Sequence, residues 1–151
     1  MAQTTGGFSA TDAKVEISTN GTVWTDISGW ANSIKPGPLT RNSGARWTHE
    51  GDGAILTAGK LGTIDIDVQI VYSEGTGDRL ATLLTQIQTV GGASVYVRWS
   101  PKGGSTGEWQ FTSSAGILKK LDLPAPDTED AKPCAVSFTV EVATITKAAI
   151  T

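Results

Sequence analysis

Alternation of apolar and polar residues is the dominant pattern along the chain, and it predicts β-strands. The clearest run is TIDIDVQIVY at residues 63–72, and a second run, CAVSFTVEVATIT, occupies residues 134–146. Successive side chains of a strand point to opposite faces, so each run would place one apolar face on a core and leave one polar face. The polar positions of these two runs that we single out as candidates for function are Asp65, Asp67, Gln69, Thr139 and Glu141.

Shorter runs of the same kind predict further strands. The stretch KVEISTNGTVWTDISGW, residues 14–30, indicates two strands at about 13–18 and 22–28 that fold back at Asn20-Gly21, with Trp24 packing inward. Residues 93–101, ASVYVRWSP, predict another strand. The glycine-rich KGGSTGE that follows, residues 102–108, is read as a hairpin turn, because a phosphate-binding loop needs its lysine after the glycines and a helix next.

One segment has helical periodicity instead. Residues 77–90, GDRLATLLTQIQTV, predict a helix that starts at a cap from Thr76 or Asp78 and ends at Gly91-Gly92. Its single apolar face would lie against a sheet. The residues of that face, at spacings of three and four, are Leu80, Leu83, Leu84, Ile87 and Val90.

A long polar connection separates the early strands from the 63–72 run. Pro36-Gly37-Pro38 would break any regular element, and residues 36–54 are polar and glycine-rich. Connections of this length in compact domains tend to be functional or disordered, and a tryptophan argues against simple disorder. This inter-strand loop is therefore a candidate functional segment, with candidate residues Arg41, Arg46, Trp47, His49, Glu50 and Asp52.

Composition narrows the class of protein. A chain of 151 residues with 38% hydrophobic and 18% charged residues fits one β-rich domain at 13–147, between a flexible N-terminal arm at 1–12 and a C-terminal tail at 148–151. A net charge of −3 argues against a protein that grips nucleic acid through its phosphates. We expect synthesis in a cytoplasm and no membrane association, because neither a signal peptide nor a long apolar run is evident.

The candidate chemistry is sparse. Cys134 and His49 are the only cysteine and the only histidine, so an internal disulfide and a zinc site of the usual ligands are excluded. Cys134 is expected to be a buried structural thiol, although its spacing from His49 leaves a nucleophile pair formally open. Asp65 and Asp67 point the same way on one strand but lack a third ligand. We therefore expect no catalytic, cofactor or metal site.

Tryptophan content keeps a second class of function open. Five tryptophans could form a platform on which sugar rings stack, and the Ser18–Trp24 stretch is close to motifs of sugar-binding β domains. Their scatter over different elements favours packing roles for most of them. An exposed tryptophan cluster would favour the alternative, a carbohydrate-binding β-sandwich module. The five residues are Trp24, Trp30, Trp47, Trp99 and Trp109.

The order of the segments resembles one family. A TDISG strand, a long polar loop, AILTAGKLGTIDIDVQIVYSEGTGD, a helix, VYVRWSPKGGSTGEWQFTS and a last strand AVSFTVEVATITK follow one another between residues 13 and 147. In this order and in these stretches the chain resembles the major tail proteins, or tail tube proteins, of long-tailed bacteriophages. The most specific pieces are Thr57–Lys60, Tyr72–Gly75 and Val97–Gly104.

This resemblance implies a mainly β fold, a sandwich or barrel with one flanking helix, in a virion tail. Subunits would close into hexameric rings, and the rings would stack into a tube that conducts DNA without binding it specifically. The implied partners are other copies of the chain and the tape measure, distal tail and terminator proteins, with no cofactor and no enzymatic role. In such a tube we expect the lumen to be lined by Asp65, Asp67, Gln69, Thr139 and Glu141, whose carboxylates would repel phosphates. We expect the 36–54 loop to make contacts between subunits and between stacked rings. The tube component of a related contractile or secretion machine is a further alternative.

Overall fold

The computed structural model describes residues 9–74, 79–126 and 132–151, and these ranges are mainly β-structure. A short 3₁₀ helix, Ala10–Asp12, precedes the strands, so the described end of the predicted flexible arm has local structure. The strands and the helix are β1 (Lys14–Ser18), β2 (Thr25–Asp26), β3 (Ala31–Pro36), β4 (Arg41–Arg46), β5 (Ile55–Leu61), β6 (Ile64–Val71), α1 (Arg79–Gln88), β7 (Ser94–Ser100), β8 (Trp109–Ser113), β9 (Gly116–Leu121), β10 (Ala135–Val142) and β11 (Ile145–Ala149).

Nine of the described strands form two antiparallel sheets that share a seam. Sheet A has the order β2-β1-β7-β8-β11, and sheet B has the order β9-β10-β6-β3. The seam is at the start of β7, where Ser94 and Val95 pair with Ile117 and Gly116 of β9. Strands β8 and β9 follow each other almost directly, as do β10 and β11, so both strand pairs pass from one sheet to the other.

The core lies between the apolar faces of the two sheets and is closed by α1. Alternation in β6 and β10 produces it, because every second residue of each strand is buried. Phe138 is the largest fully buried side chain. Gly116 is buried where β9 starts, because a Cβ there would lie 2.6 Å from Val142 Cγ1 and 2.7 Å from Val140 Cγ1.

Helix α1 packs its apolar face toward the core as the periodicity predicts, with one exception. Leu80 and Leu83 are buried, whereas Val90 is 99% exposed and lies beyond the last helical residue. Gly91 and Gly92 have positive φ angles of 81° and 74°, so the predicted glycine termination is confirmed. The predicted cap residues Thr76 and Asp78, and the first two positions of the predicted helix, lie outside the described residues.

The predicted hairpin at the start of the chain forms, but its turn differs from the expected one. Strand β1 ends at Ser18 and β2 begins at Thr25, so six residues connect the strands, and only Gly21 of the Asn20-Gly21 pair has a positive φ. The Asn20 side chain instead accepts hydrogen bonds from the backbone of Thr22 and Val23. The predicted inward packing of Trp24 is wrong, since its ring is covered by the Arg98 guanidinium at 4.3 Å on the outer face of sheet A.

The C-terminal segment is also more ordered than expected. The run at 134–146 is divided between β10 and β11, and Cys134 is only half-buried, just before β10. Residues 148–149 of the predicted tail belong to β11 and pair with β8. The Ile150 backbone then exchanges two 2.8 Å hydrogen bonds with Gly107 and Glu108, so pairing along β8 holds the end of the chain.

Candidate functional site: a projecting hairpin and a polar sheet face

The segment predicted as a loop at 36–54 contains a strand. Arg41–Arg46 pairs antiparallel with Ile55–Leu61 as a separate two-stranded sheet, which we call the projecting hairpin. All residues of both strands are exposed. The loop proper is therefore shorter, from residue 47 to residue 54, and forms the hairpin tip. The polar composition concealed the strand, because neither of its faces packs on a core.

The six candidate contact residues fall on this hairpin. Arg41 and Arg46 are the first and last residues of β4, and the Arg41 guanidinium donates a 2.8 Å hydrogen bond to the Gly59 carbonyl. The tip carries the other four, Trp47, His49, Glu50 and Asp52. Trp47 is 67% exposed. The sequence pattern did not indicate the exposed apolar residues that accompany it on the hairpin, which are Ile55, Leu56 and Leu61.

The five polar candidates of the long strands share one face of sheet B. Strand register places Asp67 opposite Thr139, Asp65 opposite Glu141 and Gln69 opposite Ser137. The Thr139 hydroxyl donates a 2.5 Å hydrogen bond to Asp67 Oδ1. Gln69 Oε1 accepts a 2.9 Å bond from Asn32 on β3. The predicted clustering on one strand face is thus present, and the face is open to solvent.

Lysines that were not anticipated balance the carboxylates on this face. Lys119 Nζ lies 3.0 Å from Asp65 Oδ2 and 3.5 Å from Glu141 Oε2. Lys120 Nζ lies 3.0 Å from Asp122 Oδ1, and Lys35 is the register partner of Asp67. The sequence GILKKLDL does not reveal this arrangement. The pairing of β9 with β10 shifts register between Thr139 and Val140, and this irregularity interrupts the alternation of β9. The face is mixed in charge rather than purely acidic.

The two carboxylates beside Lys119 stabilise its charged form. The hydrogen bond to Asp65 raises the pKa of Lys119 most, followed by the charges of Asp65 and Glu141. Protonation of Lys119 is therefore more favourable in the folded state than in the unfolded chain. Any stability that this triad contributes is fully present below the ordinary lysine pKa of 10.5 and is lost as pH rises through the higher folded value. The Lys119 side chain is 51% exposed, so solvent screens these pairs and the triad serves mainly to hold charges in place.

A second charge cluster lies on the outer face of sheet A. Glu16 is 5% exposed, and its carboxylate accepts a 2.6 Å hydrogen bond from Arg98 and lies 3.1 Å from Lys14 Nζ. Burial by itself raises the pKa of Glu16, but the bonds from Arg98 and Lys14 outweigh it and the pKa is lowered. Asp26, the register partner of Glu16, also has a lowered pKa, for which the bonds from Ser28 outweigh the opposing effect of burial.

We expect this cluster to make folding stability depend on acid pH. A carboxyl with a lowered folded pKa contributes stability that is fully present above its ordinary value, 4.5 for Glu16, and that is lost as pH falls below it. Glu16→Gln should therefore cost about 1–2 kcal/mol of unfolding free energy at pH 7 and much less near pH 3. Urea unfolding at both pH values measures the difference. An equal cost at the two values would contradict the assigned role of the charge.

Exposed tryptophans do not cluster in the described part of the chain. Trp99 is buried and stacks on Phe111 with ring centroids 5.4 Å apart, and Trp24 and Trp30 are half-buried. Only Trp47 and Trp109 are largely exposed. They lie on separate elements, the hairpin tip and the start of β8. The flat aromatic platform that a sugar-binding module needs is therefore not built by residues 9–74, 79–126 and 132–151.

The described ranges offer neither a metal site nor a membrane-spanning helix. Among the described residues, no group of three His, Cys, Asp or Glu side chains is arranged to hold a metal ion. None of the described helices is long and apolar enough to span a membrane. The hairpin and the polar face are therefore the candidate functional surfaces of the described residues.

Comparison with known proteins gives structural matches only. No family model matches the sequence, and no curated protein matches it. Among solved structures, a chain of the PVC sheath-tube complex of an extracellular contractile injection system, in its extended state, superposes with a TM-score of 0.78 at 12% identity. That match covers 97% of this chain and 94% of the other.

Two further structures come from particle tails. A chain of the tail of an empty GTA particle, refined with helical C6 symmetry, has a TM-score of 0.64 at 11% identity, with 98% of this chain and 100% of the other covered. The SPP1 tail tube has a TM-score of 0.62 at 12% identity, with 92% and 77% covered. At such identities the matches establish the fold, which is that of tail-tube proteins, over nearly the whole length of the chain.

Proposed function

We propose that this chain is a tube subunit, which assembles into six-membered rings that stack into the tube of a long-tailed phage. The observation that carries the proposal is the full-length correspondence of its fold with tube chains, at coverages of 92–98% of this chain. Partners in this role are other copies of the chain and the tape measure, distal tail and terminator proteins. The subunit acts in the virion tail, after synthesis in the host cytoplasm, and as a structural protein rather than an enzyme.

The projecting hairpin supports assembly as the role of the fold. A two-stranded sheet with every residue exposed buries little of its own apolar surface, and an isolated hairpin is at best marginally stable in water. Contact with another subunit would cover Trp47, Ile55 and Leu56. We assign the six candidate residues of this hairpin to contacts between subunits and between rings.

The polar face of sheet B suits the wall of a conduit for DNA. We propose that Asp65, Asp67, Gln69, Thr139 and Glu141 line the lumen. Lys119 is held by two carboxylates and Lys120 by Asp122, so these cations are already paired and offer little to passing phosphates. A wall with balanced, internally paired charges lets a polyanion slide without strong attraction or strong repulsion.

Electron microscopy of the purified protein over a concentration series tests the proposed function. Hollow tubes or stacked rings with six-fold symmetry are expected, if necessary after addition of pre-formed tube ends as seeds. Subunits that stay monomeric at all concentrations, with and without seeds, would contradict it. A glycan screen is then the next experiment, because the carbohydrate-binding module is the alternative of a different class.

The tube of a contractile injection machine is the second candidate, and one observation favours it. The superposition on the PVC sheath-tube complex has a higher TM-score, 0.78, than the superposition on the SPP1 tail tube, 0.62. The two candidates differ in whether a sheath surrounds the tube. Binding of a sheath protein to assembled tubes would favour the contractile machine, and tubes that are the outermost layer of isolated particles would favour the long-tailed phage.

The lumen assignment predicts selective labelling of position 67. Asp67 is exposed on the polar face, so Asp67→Cys in a Cys134→Ser background should react with maleimides of any size in free subunits. In assembled tubes, we expect a small maleimide to react as before and a polymer-linked maleimide to react at least about tenfold more slowly, since access is only through the tube ends. Rapid reaction of assembled tubes with the polymer reagent would place this face on the outside.

A further inference from the structure

A pocket at the far end of sheet A has no role in the function proposed above. It lies where β7 ends and β8 begins, beside the last strand, and encloses a volume of about 440 Å³. Pro101, Trp109 and Phe111 form its apolar part. Trp109 is 54% exposed, which is a large apolar area for a solvent-facing side chain. The pocket is therefore suited to receive an aromatic or aliphatic group.

Two lysines give the rim of this pocket a positive charge. Lys147 Nζ lies 4.2 Å from the centre of the Trp109 ring, and no ion pair to a carboxylate is recorded for it among the described residues. Lys102 Nζ is 3.9 Å from Glu108, a long contact. The other oxygen of Glu108 accepts two 2.9 Å hydrogen bonds from the backbone amides of Gly104 and Ser105. Glu108 thus holds its own turn, and its one negative charge against the two lysines leaves the rim with a net positive charge.

The tip of the projecting hairpin carries the complementary features. Trp47 begins the tip, and Glu50 and Asp52 follow it within five residues. All three side chains are exposed, and the two carboxylates have no recorded ion pair in the described part of the chain. Hairpin tip and pocket belong to different sheets and present different chemistry, which is what a head-to-tail contact between identical subunits requires.

We propose that the hairpin tip of one subunit docks in the Trp109 pocket of a second copy. Trp47 fills the pocket against Pro101 and Trp109, while Glu50 and Asp52 meet Lys102 and Lys147. Aromatic anchors in pockets and opposed charges at the rim are the usual centre and border of a specific interface. This inference rests on the proposed function, since it names the surface that receives the hairpin in a tube.

A charge swap tests the pairing. Lys102→Glu/Lys147→Glu and Glu50→Lys/Asp52→Lys should each raise the concentration needed for tube formation at least about tenfold, because each places like charges opposite one another. The chain that carries all four substitutions restores opposed charges and should assemble within about threefold of the wild type. Lys132→Glu, an exposed lysine that lies outside both the hairpin and the pocket, is the matched control and should assemble normally. Circular dichroism confirms that each variant is folded.

The outcomes separate the docking site from the function. Wild-type tubes together with normal assembly of the Lys102→Glu/Lys147→Glu variant would overturn the docking site and leave the tube function standing. A fourfold variant no better than the two parents would overturn it as well. A wild type that forms no tubes even with seeds would overturn the function itself. As a direct readout, p-benzoylphenylalanine in place of Trp47 should cross-link in tubes to residues 101–111 or 147 of another subunit, and cross-links elsewhere would refute the pocket.

Discussion

Replacing the projecting hairpin with a short turn is expected to abolish tube formation and to leave the subunit folded. Thr40 and Gly62 are joined across its base by a 2.9 Å backbone hydrogen bond, so an Asn-Gly turn can replace residues 41–61 without moving either end. No residue of the hairpin belongs to the core. The change should therefore alter the free energy of unfolding by less than about 1 kcal/mol.

The effect on assembly should be far larger, because the variant loses every hairpin contact at once. We expect no tubes even at about a hundredfold above the concentration at which the wild type assembles, since anchors of this kind contribute most of an interface's free energy. Sedimentation and negative-stain microscopy measure this. Val23→Ser is a suitable control, because Val23 is 69% exposed but lies on the loop between β1 and β2. Normal tubes from the turn variant would contradict any assembly role of the hairpin.

Gly116→Val is expected to be among the most destabilising single substitutions in the chain. A Cβ at this position would lie 2.6–2.7 Å from Cγ1 atoms of Val142 and Val140 and 2.8 Å from the Glu141 carbonyl oxygen. Neither valine can move away, because both are buried in the middle of the core. Overpacking in such a position costs about 1–3 kcal/mol for a small group, and a valine should exceed 3 kcal/mol. Urea unfolding measures the loss.

Two variants make this prediction specific. Gly29→Ala is the matched control and should cost less than about 1 kcal/mol, because a Cβ there meets no atom within 4 Å. Val142→Ala should recover part of the loss when it is combined with Gly116→Ala, because it removes the methyl groups that the new Cβ would meet. Additive losses in that double variant would mean that the steric account of Gly116 is incorrect.

The sequence predicts the long elements well because their periodicity reports directly on burial. Alternation in β6 and β10 gave both the core face and the shared polar face, and the helical spacing gave Leu80 and Leu83. Residues of these elements that face the core must be apolar, because they are buried. Position alone could therefore assign Asp65 and Glu141 to one side of the sheet.

Elements that pack on nothing within their own chain were harder to predict. The projecting hairpin has no buried face, so its strands show no alternation, and β4 lies within the segment 36–54 that is predicted to be a loop. Long-range ion pairs were equally hidden, since Lys119 reaches Asp65 across 54 sequence positions and Arg98 reaches Glu16 across 82. The prediction for Trp24 was wrong because the local sequence pattern does not distinguish two positions. A tryptophan in a core and a tryptophan on the outer face of a sheet, covered by an arginine, have the same pattern.

The passage of strand pairs between the sheets has a consequence for how the subunit loses its structure. Strands β8 and β9 pair with the same edge of β7, and β10 and β11 continue from one sheet into the other. Neither sheet can therefore open without removing strands from its neighbour, so the described strands outside the hairpin form a single cooperative unit. We therefore expect unfolding in a single step, without an intermediate that keeps one sheet intact. Rings in a tube would then gain or lose copies that are either wholly folded or wholly unfolded.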